Sequence, residues 1–108
     1  MRHQLPPITD RIHGLLARIE SGDYPDLELL ENSLTDGYAC ALSLDAECDR
    51  LERRIAERAG RLGAESSPAQ ARELSALADL LALRRRELEA LRDLLGVLRA
   101  GTQQARIA

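Results

Sequence analysis

The sequence predicts an all-α protein: a long antiparallel helical hairpin of the coiled-coil type, with a short N-terminal amphipathic helix packed on it. The chain is rich in leucine, alanine, glutamate and arginine, and aromatic residues make up only 2% of it. β-Sheet proteins rely on the β-branched and aromatic residues that are scarce here, whereas the abundant residues favour helices. Two long segments also repeat apolar residues every seven positions. With room for one hydrophobic core, we expect residues 1–108 to form a single domain.

The first predicted helix, residues 8–20, is short and amphipathic. Thr9 or Asp10 is available as its N-cap, and the glycine at position 22 is expected to follow its end. Apolar residues recur on one face of this helix at Ile8, Ile12, Leu15 and Ile19.

The second predicted helix, residues 24–61, has Asp23 as its cap and Pro25 in its first turn, where proline is tolerated. Its seven-residue register passes through Gly37 without a skip, which favours one continuous helix. Glycine costs about 1 kcal/mol relative to alanine in a helix, so a kink at Asp36–Gly37 is the alternative. Position a holds Leu27, Leu34, Ala41, Cys48, Ile55 and Leu62, and position d holds Leu30, Gly37, Leu44, Leu51 and Arg58.

The third predicted helix covers residues 68–100. The segment 60–67 ends the preceding helix with glycines and begins the next one with Ser66 or Ser67 ahead of a proline. Residues 101–108 are mostly polar and are expected to form a frayed tail. Position a holds Leu74, Leu81, Leu88 and Leu95, and position d holds Leu77, Arg84, Leu91 and Leu98.

The connection between the two long helices is short, so they must fold back on each other to cover their apolar faces. In an antiparallel pair position a faces position d, and a turn near residue 66 makes the numbers of facing residues sum to about 132. The expected pairs are Leu34 with Leu98, Gly37 with Leu95, Ala41 with Leu91, Leu44 with Leu88, Leu51 with Leu81, and Ile55 with Leu77.

The same alignment places three consecutive arginines opposite an acidic group. We expect internal ion pairs here, and the alternative is that the three guanidinium groups bind an anionic ligand or an acidic partner. The arginines are Arg84, Arg85 and Arg86, and the acidic residues are Asp45, Glu47 and Asp49.

The two cysteines are expected to be buried, free thiols. On one helix Cys40 and Cys48 lie about 12 Å apart, whereas a disulfide needs Cα atoms within about 7 Å. The histidines, His3 and His13, show no ligand spacing to them. We therefore expect no metal and no cofactor, and a reducing compartment.

The charge balance and the absence of long apolar runs limit the partners. The net charge is −3, and a general nucleic-acid binder would need a basic excess. No segment is apolar enough for a membrane span, and residues 1–10 lack the features of a signal peptide. The expected location is the cytoplasm.

Apolar residues outside the a and d positions predict an interaction surface. The first helix, about 20 Å long, can cover only part of them, so the rest should contact a partner helix or a second copy. Gly37 and Tyr38 either allow close helix approach or form a shallow groove that receives a partner side chain. The expected partner-binding residues are Leu80, Leu83, Leu94, Val97, Tyr38 and Gly37. The predicted function is a non-catalytic protein-interaction module, such as an adaptor, a chaperone or a regulator.

The alternative is a small all-α enzyme, or an anion-binding protein, that uses the inward arginines Arg58 and Arg84. Small all-helical chorismate mutases use inward arginines on long helices, but this chain carries none of that family's motifs and no lysine for such a polar pocket. Recognisable catalytic motifs for acyl transfer, phosphate binding or zinc hydrolysis are also absent.

We predict that changing both Cys40 and Cys48 to alanine leaves the helical fold in place, because neither thiol has a partner for a disulfide or a metal. Lost packing at Cys48 should cost about 1 kcal/mol or more. Circular dichroism and metal analysis of the purified protein measure the two effects. Stoichiometric zinc that disappears in the double variant would contradict the prediction.

Overall fold

A computed structural model of the protein describes residues 5–63 and 67–107, which contain three α-helices. These are α1 (Leu5–Glu20), α2 (Leu27–Arg61) and α3 (Pro68–Ile107). The long helices α2 and α3 pack against each other as an antiparallel hairpin, and α1 packs on both of them. The molecule is 65 Å long and 19 by 18 Å in cross-section. The predicted all-α hairpin with a short N-terminal helix is confirmed.

Helix α1 begins at Leu5, three residues before the predicted start, so Thr9 and Asp10 lie inside the helix and do not cap it. The two prolines after Leu5 fall in the first turn, where a missing N–H group leaves no hydrogen bond unmade. Gly22 follows the end of α1 with a φ of 81°, a conformation that glycine adopts without steric cost.

Two hydrogen bonds close this end of α1. The Gly22 N–H donates to the carbonyl oxygen of Ile19 at 3.0 Å, and the Asp23 N–H donates to that of Arg18 at 2.9 Å. This is the Schellman arrangement, in which residues just beyond a helix satisfy its last carbonyls. Asp23 therefore completes α1 and does not cap α2.

Helix α2 begins at Leu27 with Asp26 as its N-cap residue, three residues later than predicted. Pro25 lies before the helix and not in its first turn. From Leu27, α2 runs unbroken through Asp36 and Gly37. The continuous helix is thus confirmed over the kinked alternative.

Helix α3 starts with a capping box. The Ser67 hydroxyl accepts from the Gln70 N–H at 3.2 Å, and the Gln70 side-chain oxygen accepts from the Ser67 N–H at 2.9 Å. Ser66, the alternative cap, lies outside the described residues.

The predicted tail at 101–108 is wrong, because α3 continues as a helix to Ile107; residue 108 is outside the described range. Thr102 is buried in this last part of α3, and its hydroxyl donates to the Leu98 carbonyl oxygen at 2.8 Å. A Cβ atom at Gly101 would lie 3.0 Å from Ile19 Cδ1 of α1. The end of α3 is therefore held by packing against α1. The polar composition of residues 101–108 does not indicate this contact.

Buried apolar residues of the described chain form two clusters along the hairpin. The first lies beneath α1, and the second lies between α2 and α3 beyond the N-terminal end of α1. The first contains Ile8, Ile12, Leu15, Leu30, Cys40, Ala41, Leu44, Leu88, Leu91, Leu95 and Leu98. The second contains Cys48, Leu51, Leu77 and Leu81, with Ile55 and Leu80 partly buried against it. One half of the molecule is therefore a three-helix bundle, and the other half is a two-helix arm.

Gly37 marks a close approach of the two long helices. A Cβ atom at this position would overlap with Cδ2 of Leu95 and would lie 3.5 Å from Cδ1 of Ile12. The predicted pairing of Gly37 with Leu95 is confirmed. Both neighbours are fully buried, so a shift of either side chain would have to be accommodated by the surrounding core.

We predict opposite effects of alanine at two helical glycines. Gly96→Ala should stabilise the fold by up to about 1 kcal/mol, because nothing lies within 4 Å of its Cβ position. Gly37→Ala should destabilise it by about 1 kcal/mol, since the overlap with Leu95 outweighs the gain in helix propensity. Urea denaturation followed by circular dichroism measures both changes. Stabilisation by Gly37→Ala would show that Leu95 can repack.

Candidate interaction surface

The heptad positions divide the hairpin into two edges, with Leu27 and Leu74 each at position a. Position g of both long helices lies on one edge, which we term the α1 edge. Ser33 and Cys40 of α2 are buried there beneath α1, and Leu94 and Gly101 of α3 pack on the same side. The Ser33 hydroxyl has no hydrogen-bond partner in the described structure.

Position e of both helices lies on the opposite edge, which we term the open edge. There, carboxylates of α2 pair with arginines of α3: Glu31 with Arg106 at 3.1 Å, Asp45 with Arg92 at 3.8 Å, and Glu52 with Arg85. Exposed pairs of this kind contribute at most about 1 kcal/mol each. Successive e positions are seven residues apart, and Tyr38 and Arg99 occupy the level between the pairs of Glu31 and Asp45.

The three consecutive arginines have different roles. Arg84 pairs with Glu47 at 3.2 Å, as predicted, and also with Glu87 at 2.5 Å. Arg85 pairs with Glu52 and not with the predicted acidic group, because Glu52 is level with it on the open edge, whereas Asp45 lies one heptad away and pairs with Arg92. Arg86 lies at position f, is exposed, and makes no ion pair with any described residue.

Arg84 is a buried charge at a seam position. Burial by itself lowers the pKa of Arg84, but hydrogen bonds from its guanidinium group to Glu87 and Glu47 outweigh burial and raise the pKa overall. Two carboxylates already neutralise this guanidinium, so an anionic ligand would have to displace them. The layer of Arg84, Glu47 and Glu87 separates the two apolar clusters.

The two inward arginines of the enzyme alternative lie at different levels of the hairpin. Arg58 of α2 pairs with Glu73 of α3. Arg84 lies eleven residues beyond Glu73 on α3, which corresponds to about 16 Å of helix. Each guanidinium therefore meets its own carboxylate partner, and the two do not converge on one pocket.

The predicted apolar strip on α3 is divided by α1. Leu94 is half-buried against the cluster beneath α1, and Leu80 is half-buried against the cluster of the arm. Leu83 and Val97, both at position c, are 42% and 57% exposed. They lie fourteen residues apart, or about 21 Å along α3.

Gly37 and Tyr38 do not share one surface. Gly37 is buried against Leu95, which corresponds to the close-approach interpretation, whereas Tyr38 is 40% exposed on the open edge. The structure therefore leaves Tyr38 accessible to a partner and Gly37 inaccessible.

Both cysteines are buried and free, as expected. Burial raises the pKa of each thiol, and the negative charge of Glu87 raises that of Cys40 further. Cys48 and Leu88 line a groove of about 420 Å³ on the open edge, whose rim carries charges of both signs. Within residues 5–63 and 67–107, no group of three or more His, Cys, Asp or Glu side chains is placed to hold a metal ion.

Two further arginines of α2, which were not among the predicted site residues, also lie on the arm. Arg50 is at position c and Arg54 at position g, on the same edge as Leu80 and Leu83 of α3. Both are exposed, and neither is in an ion pair with a described residue. Their heptad positions were readable from the sequence, but their lack of partners is visible only in the folded hairpin.

None of the described helices is both long and apolar enough to cross a membrane. The chain matches no protein-family model, and no similar curated protein or solved structure was found.

We predict that Arg84→Met destabilises the protein by about 2–3 kcal/mol, because it leaves two partly buried carboxylates without a cation. The matched variant Arg85→Met removes an exposed pair and should cost less than about 1 kcal/mol. Urea denaturation compares the two. Equal effects would mean that the buried layer contributes no more than a surface pair.

Proposed function

We propose that the protein is a non-catalytic interaction module, in the manner of an adaptor, a chaperone or a regulator. It self-associates, for example as a dimer, or binds a partner helix along the apolar strip of α3. One observation carries the proposal: α1 covers only half of the hairpin, and Leu83 and Val97 stay exposed beside it. Apolar side chains left on a helical face are typical of a helix-binding surface.

The small core of the arm supports this proposal. Its buried cluster consists of four residues of α2 and α3, whereas the cluster beneath α1 draws on all three helices. A further helix laid on the arm would cover Leu80 and Leu83 as α1 covers Leu94. Burial of such side chains contributes about 25 cal/mol for each Å² removed from water.

The enzyme or anion-binding alternative has less support. Arg58 and Arg84 are held by carboxylates at separate levels of the hairpin, so a substrate would find no paired guanidinium groups. We propose the cytoplasm as the location of the protein, as the sequence predicts.

We predict that Leu83→Glu combined with Val97→Glu weakens association and leaves the helix content unchanged, because neither residue fills the seam. Sedimentation over a range of protein concentrations, circular dichroism and affinity capture from lysate measure the effect. The control combines Leu42→Glu with Ile107→Glu, which also adds two charges at exposed apolar positions but outside the strip.

Three results would contradict the proposal. A wild-type protein that is monomeric at all concentrations and captures no partner would exclude an interaction module. If the Leu83 and Val97 double variant unfolds, these residues belong to the core. Equal loss of association in the control variant would place the interaction elsewhere.

A further inference from the structure

The α1 edge continues beyond α1 and is uncovered along the arm. At the N-terminal end of α1, a small pocket is lined by Leu5, Pro6, Leu44, Arg84 and Glu87. From residue 84 to residue 68, α3 runs on for about 25 Å. The uncovered length matches α1 itself, which has 16 residues.

The carboxylates on this part of the edge are already paired. Positions c and g of the arm carry four glutamates, and each lies in an ion pair with an arginine of the hairpin. The pairs are Glu47 and Glu87 with Arg84, Glu73 with Arg58, and Glu57 with Arg61.

The unpaired charges on this part of the edge are positive. Arg50 and Arg54 lie one turn apart on α2, and both are exposed without an ion pair in the described residues. Two carboxylates of the arm, Asp49 and Asp79, make no ion pair in the described residues. They occupy positions b and f, which are on other faces of the helices, and Asp49 lines the groove of the open edge.

Between the paired Glu73 and Glu87, the residues of α3 at positions c and g are apolar. Ala76, Leu80 and Leu83 occupy positions c and g of α3, with Ala76 and Leu83 exposed and Leu80 half-buried. Apart from the glutamates held in ion pairs, this part of the edge thus presents apolar residues on α3 and arginines on α2. This pattern is complementary to a helix with an apolar face flanked by acidic residues.

We propose that this edge of the arm binds an acidic amphipathic helix from another protein, which lies end to end with α1. The inference rests on the proposed function and names the chemistry of its partner. Helix α1 of a second copy would fit this edge less well, because its two acidic and two basic residues leave it with no net charge. Helix α1 is also already packed on the other half of the hairpin. The charged residues are Asp10, Arg11, Arg18 and Glu20.

The test uses the protein of residues 1–108 and a labelled peptide of residues 5–20 carrying R11E and R18E. These changes keep the apolar face of α1 and make its polar face acidic. A second peptide with D10R and E20R has the same apolar face and a basic polar face. We expect the acidic peptide to bind at least about tenfold more tightly than the basic one in fluorescence polarisation.

Variants of the protein locate the binding. Arg50→Glu with Arg54→Glu should weaken binding of the acidic peptide about tenfold or more, and Leu83→Glu should do the same. Arg72→Glu with Arg99→Glu makes an equal change in net charge at exposed arginines outside this edge and should alter affinity less than about twofold. Circular dichroism confirms that each variant is folded.

The possible failures separate this inference from the proposed function. Binding that survives both the arginine reversals and Leu83→Glu would place the peptide elsewhere, such as beneath a displaced α1, and would overturn the inference. A different outcome is self-association that Leu83→Glu abolishes and the arginine reversals do not affect. In that case the occupant of the edge would be a second copy of the chain. That result would overturn the inference and support the proposed function. A protein that neither self-associates nor binds any partner or peptide would overturn both.

Discussion

The ion pairs of Arg84 with Glu47 and Glu87 constrain the whole hairpin. Their charges lie within a seam that is otherwise apolar, between the cluster beneath α1 and the cluster of the arm. If α3 slid by one heptad along α2, Arg84 would lose Glu47 and face apolar side chains, and a buried charge without its partner is costly. Leucines alone would tolerate such a slip, because one leucine layer resembles the next. We infer that this layer specifies the alignment more than it adds stability.

Other parts of the hairpin depend on the same alignment. Gly37 accommodates Leu95 only at this register, and a shift would place a larger residue against that leucine. The ion pairs of the open edge are spaced by whole heptads, so they would all change partners together. Since α1 packs on residues from both long helices, the surface that it covers also forms at this alignment only.

Seven-residue periodicity carried most of the information about the fold. It gave the hairpin, the pairing of Gly37 with Leu95 and the ion pair of Arg84 with Glu47, because each follows from one register and one turn. Helix ends were less predictable. Asp23 and Asp26 are both acceptable caps by composition, and the choice depends on the Schellman turn at Gly22. The continuation of α3 past Gly101 depends on contacts with α1, which lie far away in the sequence.

The surface was predictable in part for a related reason. The positions of Leu83 and Val97 outside the seam are readable from the heptads, and both are exposed. Whether a charged residue is already paired depends on its neighbours across two helices. Arg85 reaches Glu52, while Arg50 and Arg54 reach no carboxylate in the described structure, and local sequence gives no sign of this difference.

The unequal cover of the two halves has a consequence for motion. Amide hydrogen exchange reports how often a segment opens, and segments with few buried contacts open at lower free energy than the rest of a protein. The arm, with four buried residues in its cluster, should therefore open as a unit while the three-helix half stays closed. The Arg84 layer is the natural boundary between the two units. A helix bound on the arm would remove this difference and slow exchange there first, so the hairpin would become uniformly rigid only in its complex.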